Sequence, residues 1–238
     1  MLFYYIRHGD PTYHPDDLTP LGLRQAEAIG RRLARYGVDR IFASSAVRAQ
    51  KTAQPTSELC RRPIETLDWC EEGHAYHEMT VINEKGERKW CSTVPSLVRM
   101  FNLPEVVALG EKWYEYPGFP KNHFKDGVER VNREVDNLFL SLGYQHDREN
   151  RCFIPVAPTD DRIALFAHYG FGMLFFSALL DIPYPIVASR FDQTCSGLSV
   201  IEFREAEGRV YPRLLELSCD AHLYHADIAT KYNNKYFF

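Results

Sequence analysis

Three short runs constrain this chain more than any other feature. Leu2–Ile6, Arg40–Ala43 and Ile163–Ala167 each stop at a polar turn and give way to a helix-like pattern. Runs of this length, rich in branched and aromatic residues, predict strands. The segments after them carry apolar residues three or four positions apart, the spacing of a helix with one buried face. After the first run, Thr19 is placed to cap a helix with Pro20 at its first position. Leu23, Ala26, Ile29 and Leu33 share a face, and Gly37 stops it. After the second, Ser45 is placed to cap a helix carrying Arg48, Thr52 and Leu59, and Ile64–Leu67 follows as a further strand.

Helical order returns from Val128, where Val131, Val135, Leu138, Phe139 and Leu142 form an apolar stripe opposite charged residues. Cys152–Val156, Arg162–Ala167, Gly197–Phe203 and Val210–Leu217 have strand composition, with a turn expected at Glu207-Gly208 between the last two. Strands alternating with helices place the chain in the α/β class, with an antiparallel element near the C-terminus. Between Asp68 and Lys125 the pattern breaks down. Tyr76, Trp90, Phe101, Trp113 and Phe119 mix there with prolines, glycines and charges, which reads as an insertion or cap.

Ile163–Leu180 runs for eighteen residues without Asp, Glu, Lys or Arg, the length of a membrane span. His168, Tyr169, Gly170 and Gly172 interrupt it, so a buried strand followed by a core helix from about Phe171 is the expected structure, and no membrane partner. The net charge of −4 gives no global electrostatic case for nucleic acid. Six cysteines are scattered singly with no C-x-x-C pair, and Arg7 cuts the N-terminal apolar run too early for a signal-peptide core. Both features point to a reducing compartment, the cytoplasm.

The chemistry gathers at the ends of the three leading strands, where open α/β sheets bind ligands. Arg7-His8-Gly9 supplies a planar cation suited to phosphate oxygens, a nucleophilic imidazole and a residue that allows close backbone approach. Arg48 falls in the first turns of the next helix, a position that favours anions, and His168 ends the third strand. His74 and His77, or Cys219, His222 and His225, lack the paired-cysteine or H-E-x-x-H spacing of metal sites, so no metal is expected.

Taken in order, Arg7-His8-Gly9, the stretch Leu18–Ala26, Ser44-Ser45 with Arg48 and Thr52-Ala53, His168 at its strand end, and Asp220–Leu223 resemble the histidine phosphatase superfamily, the phosphoglycerate mutase-like group. The resemblance implies a three-layer α/β/α sandwich with a mostly parallel central sheet, a single domain over residues 1–238, and a cap over residues 73–126. It also implies a phosphomonoesterase in which His8 attacks the phosphorus of a small metabolite while Arg7, Arg48 and His168 hold the oxygens, without metal or cofactor. The family's general acid follows the second arginine's helix, where Glu72 is the choice and Glu71 the alternative. His222 is expected to support the site from the closing segment.

Two other readings stand beside this one. A phosphoglycerate mutase would use the same histidine, but Asp10–His14 replaces the Glu-Ser and Trp-Asn pairs typical of mutases. A non-catalytic phosphate-binding module would keep the pocket alone. Arg99, Lys112 and Lys121 are cations available for further anionic groups, and substrate identity and oligomeric state are not encoded in these motifs.

Overall fold

A computed structural model describes residues 1–230 and 232, so the last residues of the expected 1–238 unit lie outside the described ones. In chain order, β1 (Leu2–Arg7) leads to a small hairpin, β2 (Pro11–Tyr13) and β3 (Asp16–Leu18), then to α1 (Pro20–Tyr36), β4 (Arg40–Ala43), α2 (Val47–Cys60) and β5 (Ile64–Thr66). Next come α3 (Glu72–Glu78), the hairpin of β6 (Thr80–Ile82) and β7 (Arg88–Trp90), α4 (Pro95–Phe101), α5 (Pro104–Ala108) and α6 (Phe124–Ser141). They are followed by β8 (Tyr144–Asp147), β9 (Cys152–Pro155), β10 (Arg162–Ala167), α7 (Tyr169–Leu180) and α8 (Tyr184–Arg190). β11 (Leu198–Glu202), β12 (Glu205–Ala206), β13 (Arg209–Val210), β14 (Arg213–Cys219) and α9 (Ala221–His225) complete the order.

The main sheet has the order β14-β11-β1-β10-β4-β5. β1, β10, β4 and β5 are parallel, and β11 and β14 extend the sheet antiparallel. Arg7 pairs with Ala167 and Phe166 with Ala43, so three neighbouring parallel strands end level with one another. This register brings the polar turns after β1, β10 and β4 to one rim of the sheet.

The alternation of side chains along each strand sorts them into two cores. Phe3, Tyr5, Ile163 and Leu165 face a layer built from Val131, Val135 and Phe139 of α6 and Phe171 and Phe175 of α7. Tyr4, Ile6, Ala164 and Phe166 face Ile29 and Leu33 of α1 and Ala53 of α2. A sheet covered on both faces produces continuous apolar strands, and this accounts for the uncharged run of β10. The adjoining α7 is buried from Gly170 through Leu179 on every side, and no helix among the described residues is long and apolar enough to cross a membrane.

Phe139 shows how tightly the larger core is knit, with its ring 4.9 Å from Phe203 and 5.0 Å from Phe3. Removing such a ring costs about 3–5 kcal/mol through lost burial and the cavity left behind.

Several boundaries differ from the expected ones for physical reasons. Thr19 does cap α1, its side chain accepting from the Gly22 N–H. Ser45, however, is not the cap of α2, because Ala46 takes that place without a side-chain bond. The Val47 N–H instead donates to Asp16 Oδ2 at 2.8 Å, and the Ser45 hydroxyl turns to Asp68 at 2.7 Å. α7 begins at Tyr169, directly after His168, and α6 at Phe124. The expected strand over Val210–Leu217 is two strands broken at Tyr211-Pro212, and the Glu207-Gly208 turn joins β12 to β13. Phe101 and Trp113, from the segment between β5 and α6, are buried with Phe124 at the start of α6 and Tyr184 of α8 in a local aromatic core, with Phe101 and Tyr184 each 5.5 Å from Trp113.

Candidate active site

The sheet rim gathers its residues through a set of close backbone contacts. The loop after β1 lies directly on α1, and a Cβ on Gly22 would sit 2.2 Å from the Asp10 carbonyl oxygen, so only glycine fits there. Gln25 of α1 accepts from the Asp10 N–H at 2.7 Å, and Thr19 donates to the Asp10 carboxylate at 2.7 Å. These contacts give Leu18–Ala26 its physical meaning as the seat of the Arg7-His8-Gly9 turn. On the other side, Thr52 accepts from the Gly9 N–H at 3.0 Å and donates to the Arg48 carbonyl at 2.7 Å, tying the turn to α2.

Arg7, His8, Arg48 and His168 are all buried at this rim. The two imidazole rings meet edge to face with centroids 5.2 Å apart. His8 Nδ1 lies 2.7 Å from the Gly9 carbonyl oxygen, and a carbonyl only accepts, so Nδ1 carries the proton and Nε2 keeps its lone pair. The His168 tautomer is the reverse. An Arg48 guanidinium N–H donates to His168 Nδ1 at 3.1 Å, so Nε2 is the protonated nitrogen and donates to the Ser44 hydroxyl at 2.8 Å. The Tyr5 hydroxyl donates to the His168 carbonyl at 2.6 Å and fixes the start of α7.

Glu72 completes the group. Its Oε1 accepts from the Phe171 N–H of α7 at 3.1 Å, and its Oε2 lies 3.4 Å from His168 Nδ1. Glu71 turns away and accepts from the Gly73 N–H at 2.6 Å as the cap of α3. His8, Glu72 and His168 each bring one atom within 4.8 Å of the others.

The electrostatics follow from burial and from the two guanidiniums. His8 is held well below the ordinary histidine value by burial and then by Arg7 and Arg48, despite the opposing Gly9 carbonyl. His168 is likewise lowered by burial, His8, Arg48 and Arg7. Both imidazoles are therefore neutral near pH 7. Burial raises Glu72 to about 7, against the Phe171 N–H and the two arginines, so its carboxyl is protonated in a large fraction of molecules.

Arg48 pairs with Asp16 at 2.8 Å. Arg7 forms no ion pair among the described residues, and one of its terminal nitrogens donates to the Gln193 carbonyl. The Nε–H groups of both arginines are buried without a partner among the described residues. Two neutral imidazoles and a carboxyl can ligate a cation, but two guanidiniums at the same place repel one. The arrangement suits an anion with several oxygens.

Arg7, His8, Arg48, Glu72 and His168 thus lie together, whereas Arg99 lines a separate groove with Lys85 and Lys121 lines a surface pocket with His123. His222 supports the rim at one remove. Its Nε2 is 2.9 Å from the Ser196 hydroxyl, and the Ser196 N–H donates to the His8 carbonyl at 3.1 Å. Asp16, Gln193 and the supporting role of Ser44 are absent from the sequence reading, because each acts through a partner far along the chain.

Residues 3–94 match the model of the histidine phosphatase superfamily, branch 1. Solved structures extend the likeness over the rest. A phosphoserine phosphatase from Entamoeba histolytica is 17% identical with a TM-score of 0.58, over 93% of this chain and 98% of that one. A mycobacterial glucosyl-3-phosphoglycerate phosphatase solved with VO3 is 17% identical with a TM-score of 0.59, over 92% of this chain and 99% of that one. The chain has the histidine phosphatase fold. A protein described as mycobacterial hydrolase 1 is 18% identical with a TM-score of 0.58, over 92% of this chain and 98% of that one. Comparison with curated proteins finds no match. Within this fold, the match over residues 3–94 takes in Arg7, His8, Arg48 and Glu72, while His168 lies in the part covered by the structural likeness.

Proposed function

We propose that this histidine phosphatase-fold protein is a metal-independent phosphomonoesterase acting on a small phosphorylated metabolite through a phosphohistidine on His8. The observation that carries the reading is a buried His8 whose Nδ1 is held by the Gly9 carbonyl, leaving Nε2 unengaged beside two guanidiniums that lack full partners among the described residues. Nε2 attacks phosphorus as the ester P–O bond breaks, and Glu72 gives its proton to the departing oxygen. Water then attacks the phosphohistidine, its proton passes to the Glu72 carboxylate, and phosphate leaves with His8 restored. Arg7 and Arg48 offset the charge on the equatorial oxygens, and positioning with electrostatics supplies most of the acceleration. A bound dianion favours protonation of His168, turning its Nδ1 into a further donor to phosphate.

The phosphatase names of the two solved relatives support the reaction class. Residues 73–126, which follow the acid and run into the first turn of α6, serve in this reading as the cap that closes over the leaving group. The six unpaired thiols support the cytoplasm as its setting. The test is hydrolysis of p-nitrophenyl phosphate, with the rate of His8→Ala expected at background and the wild-type rate unchanged after EDTA. Equal rates for wild type and His8→Ala remove the nucleophile, and loss of activity with EDTA restored by a divalent metal removes metal independence.

A further inference from the structure

Three aromatic rings from three separate elements stand against the polar groups of the site. Tyr13 on β2 lies with its ring 5.5 Å from the Arg48 guanidinium carbon, and Tyr169 at the start of α7 lies 5.5 Å from that of Arg7. Trp90, the last residue of β7, sets its ring edge against Gly170. A Cβ at Gly170 would fall 2.4 Å from Trp90 Cη2 and 2.6 Å from Glu72 Oε1, so indole and carboxyl converge on one point of α7. Tyr76 backs the indole edge-on, with ring centroids 5.4 Å apart.

These rings differ from the aromatic core formed by Phe101, Trp113 and Phe124. Tyr13 is 60% exposed and Tyr76 40%, and Trp90 and Tyr169 are half-buried. Large apolar surface left open beside a buried polar centre marks a place where a ligand's apolar part is received. The position of that part is fixed by the acid. Glu72 can protonate only an oxygen within hydrogen-bond reach, so whatever is attached to the leaving oxygen lies beside Trp90, with Tyr13 and Tyr169 over the two arginines. Flat rings pair best with another ring, offset or edge to face.

We infer that the preferred substrates are phosphomonoesters whose leaving alcohol carries an aromatic ring, selected by Trp90, Tyr13 and Tyr169. This rests on the phosphatase reading above. The test compares benzyl, cyclohexylmethyl and ethyl phosphate, whose leaving groups are all primary alcohols, so that differences report recognition rather than leaving-group reactivity. The expected kcat/KM for benzyl phosphate exceeds that for ethyl phosphate by about tenfold, and that for cyclohexylmethyl phosphate by a smaller factor. The benzyl-to-ethyl ratio is expected to fall toward one in Trp90→Ala and in Tyr13→Ala, the latter an exposed hairpin position, and to survive in Trp90→Phe. Equal rates for benzyl and ethyl phosphate, equal rates for benzyl and cyclohexylmethyl phosphate, or a ratio unmoved in both alanine variants overturns the inference while hydrolysis itself stands. Failure to hydrolyse any of the three, with His8→Ala matching wild type, overturns the phosphatase reading and this inference with it.

Discussion

In the proposed reaction Glu72 and His8 carry opposite protonation requirements, and their surroundings suit both. Burial brings Glu72 to about 7, while burial and two arginines hold His8 well below its ordinary value. The proposed reaction with an alkyl phosphate needs Glu72 protonated, so kcat/KM is expected to fall as pH rises through about 7. It needs His8 neutral, so an acid limb is expected below the ordinary histidine range; a profile flat between pH 6 and 9 contradicts the assignment. Glu72→Gln keeps the size and removes the proton. It is expected to slow ethyl phosphate by about 10²-fold or more, and p-nitrophenyl phosphate, whose leaving group needs little protonation, far less. Equal slowing of both substrates contradicts a donor role. Gly170→Ala is expected to reduce activity without loss of fold, because its methyl group would press on both the Trp90 ring and Glu72 Oε1.

At the scale of elements, the β2–β3 hairpin is fastened to α2 by two neighbouring carboxylates. Asp16 caps Val47 and pairs with Arg48, and Asp17 pairs with Lys51 at 2.6 Å. Asp16→Ala is expected to cost about 1 kcal/mol through the lost cap, read as a lower Tm, and to raise KM by freeing Arg48 from its fixed pose. Unchanged Tm and KM contradict this linkage. The same hairpin shows what could be read from sequence. Arg40–Ala43 and Arg162–Ala167 are strands to the residue because their composition, burial and bounding polar turns agree. The cap of α2 was illegible because it is a tertiary contact supplied across the chain from Asp16, and Ser45 was an equally good local candidate. The Arg7, His8, Arg48 and His168 gathering was legible because strand ends share a rim. Glu72 and Glu71 are neighbours in sequence and part only in three dimensions, where Glu72 accepts from the Phe171 N–H at the rim and Glu71 from the Gly73 N–H.

At the scale of the molecule, the groups that set the pH response of stability lie apart from those of the proposed reaction. Buried His146 of β8 bridges Asp136 of α6 and Asp181 at the end of α7, each at 2.9 Å, with Arg148 also on Asp136. Burial alone would lower His146, but the hydrogen bonds to the two carboxylates outweigh it and raise the group above its ordinary value. A raised folded-state pKa means this contribution is full below the unfolded value and is lost as pH rises through the folded one. Tm is therefore expected to decline on the alkaline side in wild type, and to be lower and less pH-dependent there in His146→Gln; identical Tm profiles contradict the bridge.

The central claim, that His8 becomes phosphorylated, is tested most directly by acid-free rapid quenching of the enzyme with a phosphorus-labelled substrate followed by peptide mapping. The expected result is an alkali-stable, acid-labile label on the peptide containing His8, absent from His8→Ala. Label on any other residue, or sustained hydrolysis by His8→Ala without label, contradicts it.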